Sequence, residues 1–127
     1  MQILGGPELN AKYLSPLAPS ETPAFAVLLA FASVGGGTDW RSPVLLLTNQ
    51  RLIISKERLL GKPKADFAIA WPEVSTVDSV PWNGTYNPLI QLDVRTSRGI
   101  VSLPVRTLYA SDTESAIRAG YLSLGRP

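Results

Sequence analysis

Glycine, proline and asparagine recur along this chain at intervals that leave only short apolar runs between them. Runs of that length, bounded by turn residues, suit the strands of a sandwich or barrel better than the helices of a bundle. The first, Phe25 to Val34, ends at Gly35, Gly36 and Gly37, and its length and alanines are compatible with a strand or a helix. Val44 to Thr48 is almost continuously apolar, as expected of a strand packed on both faces. Asn49 and Gln50 then separate it from Leu52 to Ser55, so a two-residue hairpin is the economical connection, with Asn49 taking the positive φ such turns require.

Further along, Phe67, Ile69 and Trp71 alternate with Ala68 and Ala70, the pattern of a strand with one buried face. Pro72 breaks that run; Val74, Val77 and Val80 continue to Trp82, and Asn83 and Gly84 signal a hairpin. Ile90, Leu92 and Val94 share one face of the next run, while Gln91, Asp93 and Arg95 share the other. Ser97 to Gly99 form a turn into Ile100 to Arg106, where Pro104 cannot donate to a ladder and predicts a sheet edge or a bend. The period then changes. Ser111 and Glu114 match a capping box, and Ile117, Gly120, Tyr121 and Leu124 fall on one helical face. Gly120 costs about 1 kcal/mol of helix propensity relative to alanine, a cost that a close approach of helix to sheet would explain. Pro7 to Leu14 is compatible with a short leading helix.

Composition narrows the function. At 127 residues the chain suits one domain, here divided into an N-terminal extension (1–20) and a folded unit (21–127). Histidine and cysteine are both absent, which removes the commonest general base, thiolate chemistry, disulfides and the usual zinc ligands. The acids are scattered singly, so no catalytic constellation, metal site or cofactor is expected, and a reducing cytoplasm is the natural home. The longest apolar stretch, Ala24 to Ala32, is too short to span a bilayer. Net charge is only +2, yet Arg51 to Lys64 holds Arg51, Lys56, Arg58, Lys62 and Lys64 against Glu57, five minus one, or +4.

Seven strand-like runs followed by one helix is the order of a pleckstrin-homology fold. The string Leu45, Leu46, Leu47, Thr48, Asn49, Gln50, Arg51, Leu52, Ile53, Ile54 resembles the second hairpin of bacterial pleckstrin-homology-like and GRAM-related domains, where an apolar strand runs into Thr-Asn-x-Arg-Leu. Trp71, Pro72, Glu73 and Val74 resemble their next landmark. The resemblance covers roughly Glu21 to Leu122. It implies a mainly β, seven-stranded barrel or sandwich closed by a C-terminal α-helix, and a non-catalytic module recruited to a protein or a membrane surface. The alternative is an assembly protein that self-associates through sheet edges, with the uninterrupted strand Val44 to Thr48 as the exposed edge and Pro104 blocking another.

Two candidate sites follow. Lys56, Arg58, Lys62 and Lys64 flank Leu59 and Leu60 in one interstrand segment, cations around an apolar pair, which suits an anionic membrane surface unless the leucines fold back on the core. Trp40 beside Arg41 offers a protein contact or a ring packed over the rim. Gly35 to Gly37 lack the lysine and helix start of a phosphate loop. Arg95, Arg98 and Arg106 suggest a further basic patch, but without interleaved aromatics nucleic acid is disfavoured.

Overall fold

The computed structural model describes residues 1–6, 8–9, 17–30, 32–34, 37–39, 43–56, 64–82 and 89–123. Among them are nine strands: β1 (Pro23–Leu28), β2 (Ala32–Val34), β3 (Gly37–Asp39), β4 (Val44–Thr48), β5 (Arg51–Lys56), β6 (Lys64–Ala70), β7 (Val74–Pro81), β8 (Leu89–Thr96) and β9 (Gly99–Arg106). A 3-10 turn, Trp71–Glu73, joins β6 to β7, and one helix, α1 (Thr107–Leu122), follows β9. The strands form two antiparallel sheets, in order β1-β4-β5-β6 and β3-β2-β9-β8-β7.

The run Phe25 to Val34 is β-structure and not a helix, because its side chains alternate. Val27 and Leu29 enter the core between the sheets, whereas Ala26 and Leu28 face the other way. This run supplies both β1 and β2 and so changes sheet. At the crossing, Leu29 donates its amide to Pro43 and Ala30 donates to Pro104. The segment Gly35 to Arg41 contains β3, since Val34 pairs directly with Gly37 and only Gly35 and Gly36 stand between them. Counting β1 with β2 and β3 with β4 as successive parts of one run leaves seven runs. Of the expected barrel or sandwich, the structure shows the sandwich: no ladder joins β6 to β7 among the described residues, so the architecture is two packed sheets.

Val44 to Thr48 is buried on both faces as its composition requires, but for a reason that overturns its expected role as an exposed edge. It lies between β1 and β5 and is paired on both sides. Its inward Leu45 and Leu47 join Leu52, Ile54, Leu92, Val94 and Leu103 in the main core, and its outward Val44 and Leu46 join Ala26, Ile53, Ile3 and Leu9 in a second cluster outside the first sheet. The N-terminal residues therefore supply the cover for that outer face. Leu4 forms a parallel bridge to Val27, and Gln2 bridges Glu8. The leading helix predicted over Pro7 to Leu14 falls largely outside the described residues.

Pro104 likewise sits inside a sheet, opposite Gln91 in β8 and on the β2 side of β9. Its carbonyl accepts the Ala30 amide. Amide and carbonyl of one strand residue point the same way, so the missing donor faces the sparse β2 contact and costs the β8–β9 ladder nothing. Asn49 does not adopt positive φ, as no described non-glycine residue does; the Thr48 side chain closes that hairpin instead. Helix α1 begins a turn before the predicted capping box. Arg106 is its N-cap without a side-chain bond, and Glu114 pairs with Arg118 one turn on (2.8 Å). Thr113, Ile117 and Tyr121 face the core. A Cβ added at Gly120 would overlap the Trp71 ring, so the glycine does permit close approach of helix to sheet.

Candidate functional site

The sequence-selected residues divide by where they fall. Trp40, Arg41, Arg58, Leu59, Leu60 and Lys62 lie outside the described residues. Lys56 and Lys64 are placed through their backbones. They pair with each other at the last position of the β5–β6 ladder, just beyond a bulge at which Ile54 opposes Phe67, Ser55 opposes Ala65, and Asp66 is the extra residue. The segment that holds the four cations therefore starts and ends on residues that the ladder sets opposite each other, while Arg58 and Lys62 between them lie outside the described residues. Arg95, Arg98 and Arg106 do not form a common patch: Arg98 is in the turn between β8 and β9, and Arg106 is at the opposite end of that ladder, opposite Leu89. Arg95 faces Asp78 at 3.7 Å in an exposed pair. Arg98 stacks over the Phe67 ring at 5.3 Å and donates to the Ala68 carbonyl, clasping the outer strand β6.

The Thr-Asn-x-Arg string forms the densest polar cluster among the described residues. Thr48 Oγ accepts the amides of Gln50 (3.1 Å) and Arg51 (3.0 Å) and donates to Glu21 Oε2 (2.6 Å). Arg51 grips the same carboxylate with two parallel bonds, Nε to Oε2 and Nη2 to Oε1, both 2.8 Å. The Ala18 amide completes the shell at 3.1 Å. Asn49 exchanges bonds with the segment leading into β1: its Oδ1 accepts the Thr22 amide and its Nδ2 donates to the Ser20 carbonyl. From the other side, Trp71 donates its indole N–H to the Thr48 carbonyl (2.8 Å) and its amide to Gln50.

Glu21 has a side chain with no solvent exposure, while Arg51 keeps 27%. The Arg51 hydrogen bonds hold the Glu21 carboxyl at about 2, overcoming the burial that pushes it up, with help from Thr48 and Ala18; the same pairing raises Arg51. Every polar atom named here is engaged with another part of the chain. This cluster fastens the 18–22 segment, the β4–β5 hairpin and Trp71 to one another, and its chemistry is positional. Nothing in the sequence reveals Glu21 as its centre, since it lies thirty residues from Arg51 with no motif linking them.

Beside the cluster, an open groove of about 320 Å³ runs between the last turns of α1 and the first sheet. Trp71, Phe25 and Leu47 line it with the small residues Ala116, Ala119 and Gly120. No helix among the described residues is long and apolar enough to cross a membrane.

No protein-family model and no curated protein matches the chain. Solved structures do. A DUF1696 family protein with a pleckstrin-homology domain from Shewanella loihica superposes with a TM-score of 0.59 at 14% identity, over 87% of this chain and 89% of its own. A pleckstrin-homology domain from Shewanella amazonensis gives 0.53 at 16% identity, over 87% and 84%. The C-terminal domain of an unknown protein from Leishmania infantum gives 0.57 at 17% identity, over 80% and 85%. Two antiparallel sheets, a C-terminal helix and these neighbours together identify the fold as pleckstrin-homology-like.

Proposed function

We propose that the chain is a non-catalytic interaction module, recruited in the cytoplasm to an anionic surface through the segment between β5 and β6. Lys56, Arg58, Lys62 and Lys64 supply the charge, and Leu59 and Leu60 the apolar tip. The observation that carries this reading is the backbone pairing of Lys56 with Lys64. These two paired residues bracket a nine-residue stretch of sequence with four cations and one acid, four minus one or +3. Arg51, the fifth cation of the sequence run, is engaged by Glu21 and drops out of the count. The absence of histidine and cysteine supports a binding role over a catalytic one.

Sedimentation with vesicles containing anionic lipid tests it. Each lysine or arginine near such a surface is worth about 1 kcal/mol, so binding is expected at low ionic strength and should fall as salt screens it. Neutral vesicles should not bind. An anionic protein surface would show the same charge dependence without vesicle binding. Absence of binding to acidic vesicles even at low ionic strength overturns the membrane reading.

A further inference from the structure

We propose that residues 1–6 with 8–9 form an exchangeable strap: the ledge they occupy along β1 accepts the same segment from a second copy of this chain, giving a strap-exchanged dimer. The strap meets the body as a bound peptide meets a sheet edge. Leu4 donates its amide to Ala26 (3.0 Å) and accepts the Leu28 amide (2.9 Å), the two bonds an added parallel strand makes. Ile3, with no exposure, is the apolar anchor in the outer cluster of the first sheet. Gly5 turns the chain at φ +81° against Tyr109, where a Cβ would stand 3.1 Å from the ring. The strap therefore carries its own specificity: a backbone ladder, an apolar plug and a glycine that only a Cβ-free residue fits without strain.

Two features make exchange feasible. The strap holds its own shape, since the Met1 amine pairs with Glu8 (2.8 Å), Leu9 donates to Met1 (2.8 Å) and Gly6 donates to Ile3 (2.9 Å). Residues 18–22 are fastened separately by the Glu21–Arg51 cluster, so lifting the strap leaves that anchor in place. A strap that left without replacement would bare Ile3 and the apolar outer face. One replaced by its equivalent from another copy restores every strap contact, which is why exchange of identical elements is a low-cost route to dimers. This inference uses none of the charged residues between β5 and β6.

The chain has no cysteine, so two full-length single-cysteine chains report the exchange. One carries Leu4→Cys and the other Val27→Cys. Val27 has no exposure and is the residue that Leu4 bridges in parallel register, so the two thiols become neighbours across β1 and a seated strap. Refolding the two together under oxidising conditions should give a cross-linked heterodimer that increases with protein concentration. Adding Ile3→Asp to the Leu4→Cys chain should abolish it. The double variant Leu4→Cys with Val27→Cys closes the link within one chain and shows that the position allows it. Closure there without heterodimer in the mixture overturns the proposal. So does a solution mass of the unsubstituted chain that stays monomeric over the same concentrations.

Discussion

Strand β5 begins and ends on a cation, and the two ends are treated in opposite ways. At one end Arg51 meets a buried carboxylate with fixed bidentate geometry, inside a shell that also engages Thr48, Asn49 and Trp71. At the other, Lys56 is paired through its backbone with another lysine. A charge whose partner is built into the fold contributes to stability and is unavailable to a ligand. Like charges set opposite each other across a ladder repel, so this pair adds no stability to the strands it joins. The sequence run Arg51 to Lys64 thus contains two populations of cations, and substitutions should separate them.

The largest effect belongs to the Arg51 end. Arg51→Ala leaves a carboxylate with no exposure and no counter-ion, a loss of about 3–5 kcal/mol by urea unfolding. Glu21→Ala should cost less, about 3 kcal/mol, because the arginine left behind already reaches water. Equal losses from the two would mean that burial of the carboxylate is not what sets the cost. Next comes pH. Glu21 falls from an ordinary 4.5 to about 2 on folding, so it contributes stability that is present above pH 4.5 and lost as pH falls through 2, about 3 kcal/mol in all. Thermal or urea midpoints should decline over that window in the natural sequence, and Glu21→Gln should flatten the decline. A decline of the same size in the variant would assign acid lability to other groups.

Gly120 supplies an effect of intermediate size. Alanine there gains about 1 kcal/mol of helix propensity but overlaps the Trp71 ring, an overpacking worth about 1–3 kcal/mol. Gly120→Ala should therefore be destabilising by a net ~1 kcal/mol, and pairing it with Trp71→Phe should cost less than the sum of the two. A stabilised Gly120→Ala would place the helix farther from Trp71.

Much of this was legible from residue pattern, and what was not has a physical reason. Alternation in Ile90 to Arg95 and in Ile100 to Arg106 places β8 and β9, because a sheet with one polar face writes its period into the sequence. The doubly buried β4 was also legible, but not what covers it. An apolar run cannot say whether its second face meets another layer or a partner, and here Ile3 and Leu9, far away in sequence, do the covering. Edges were illegible for a similar reason: Pro104 reads as a block, yet its amide side matters only once the neighbour on that side is known. The capping box at Ser111 failed because the helix is already under way there: it starts at Thr107 and buries Ala110, ahead of the expected cap. As for the site, the Thr48–Arg51 string was visible as a landmark, whereas its dependence on Glu21 is a long-range contact with no local signature.

The smallest expected change in stability is at the Lys56 end, and it sharpens the comparison most. Reversing Lys56, Arg58, Lys62 and Lys64 to glutamate inverts the charge of the segment while keeping a like-charge pair at the end of the β5–β6 ladder, so cross-strand repulsion there is about the same before and after. None of these four is a partner in the Glu21 network. Surface substitutions away from packed or bonded groups usually stay within about 0.5 kcal/mol, so the urea midpoint should barely move. Binding to acidic vesicles should disappear, since four attractive contributions of about 1 kcal/mol each become repulsive. The two readouts must therefore come apart: Arg51→Ala lowers stability, and vesicle binding of the fraction still folded persists, whereas the four reversals do the opposite. If the reversals lower stability by several kcal/mol, the segment is part of the core and its leucines fold inward, which would remove the apolar tip from any surface contact.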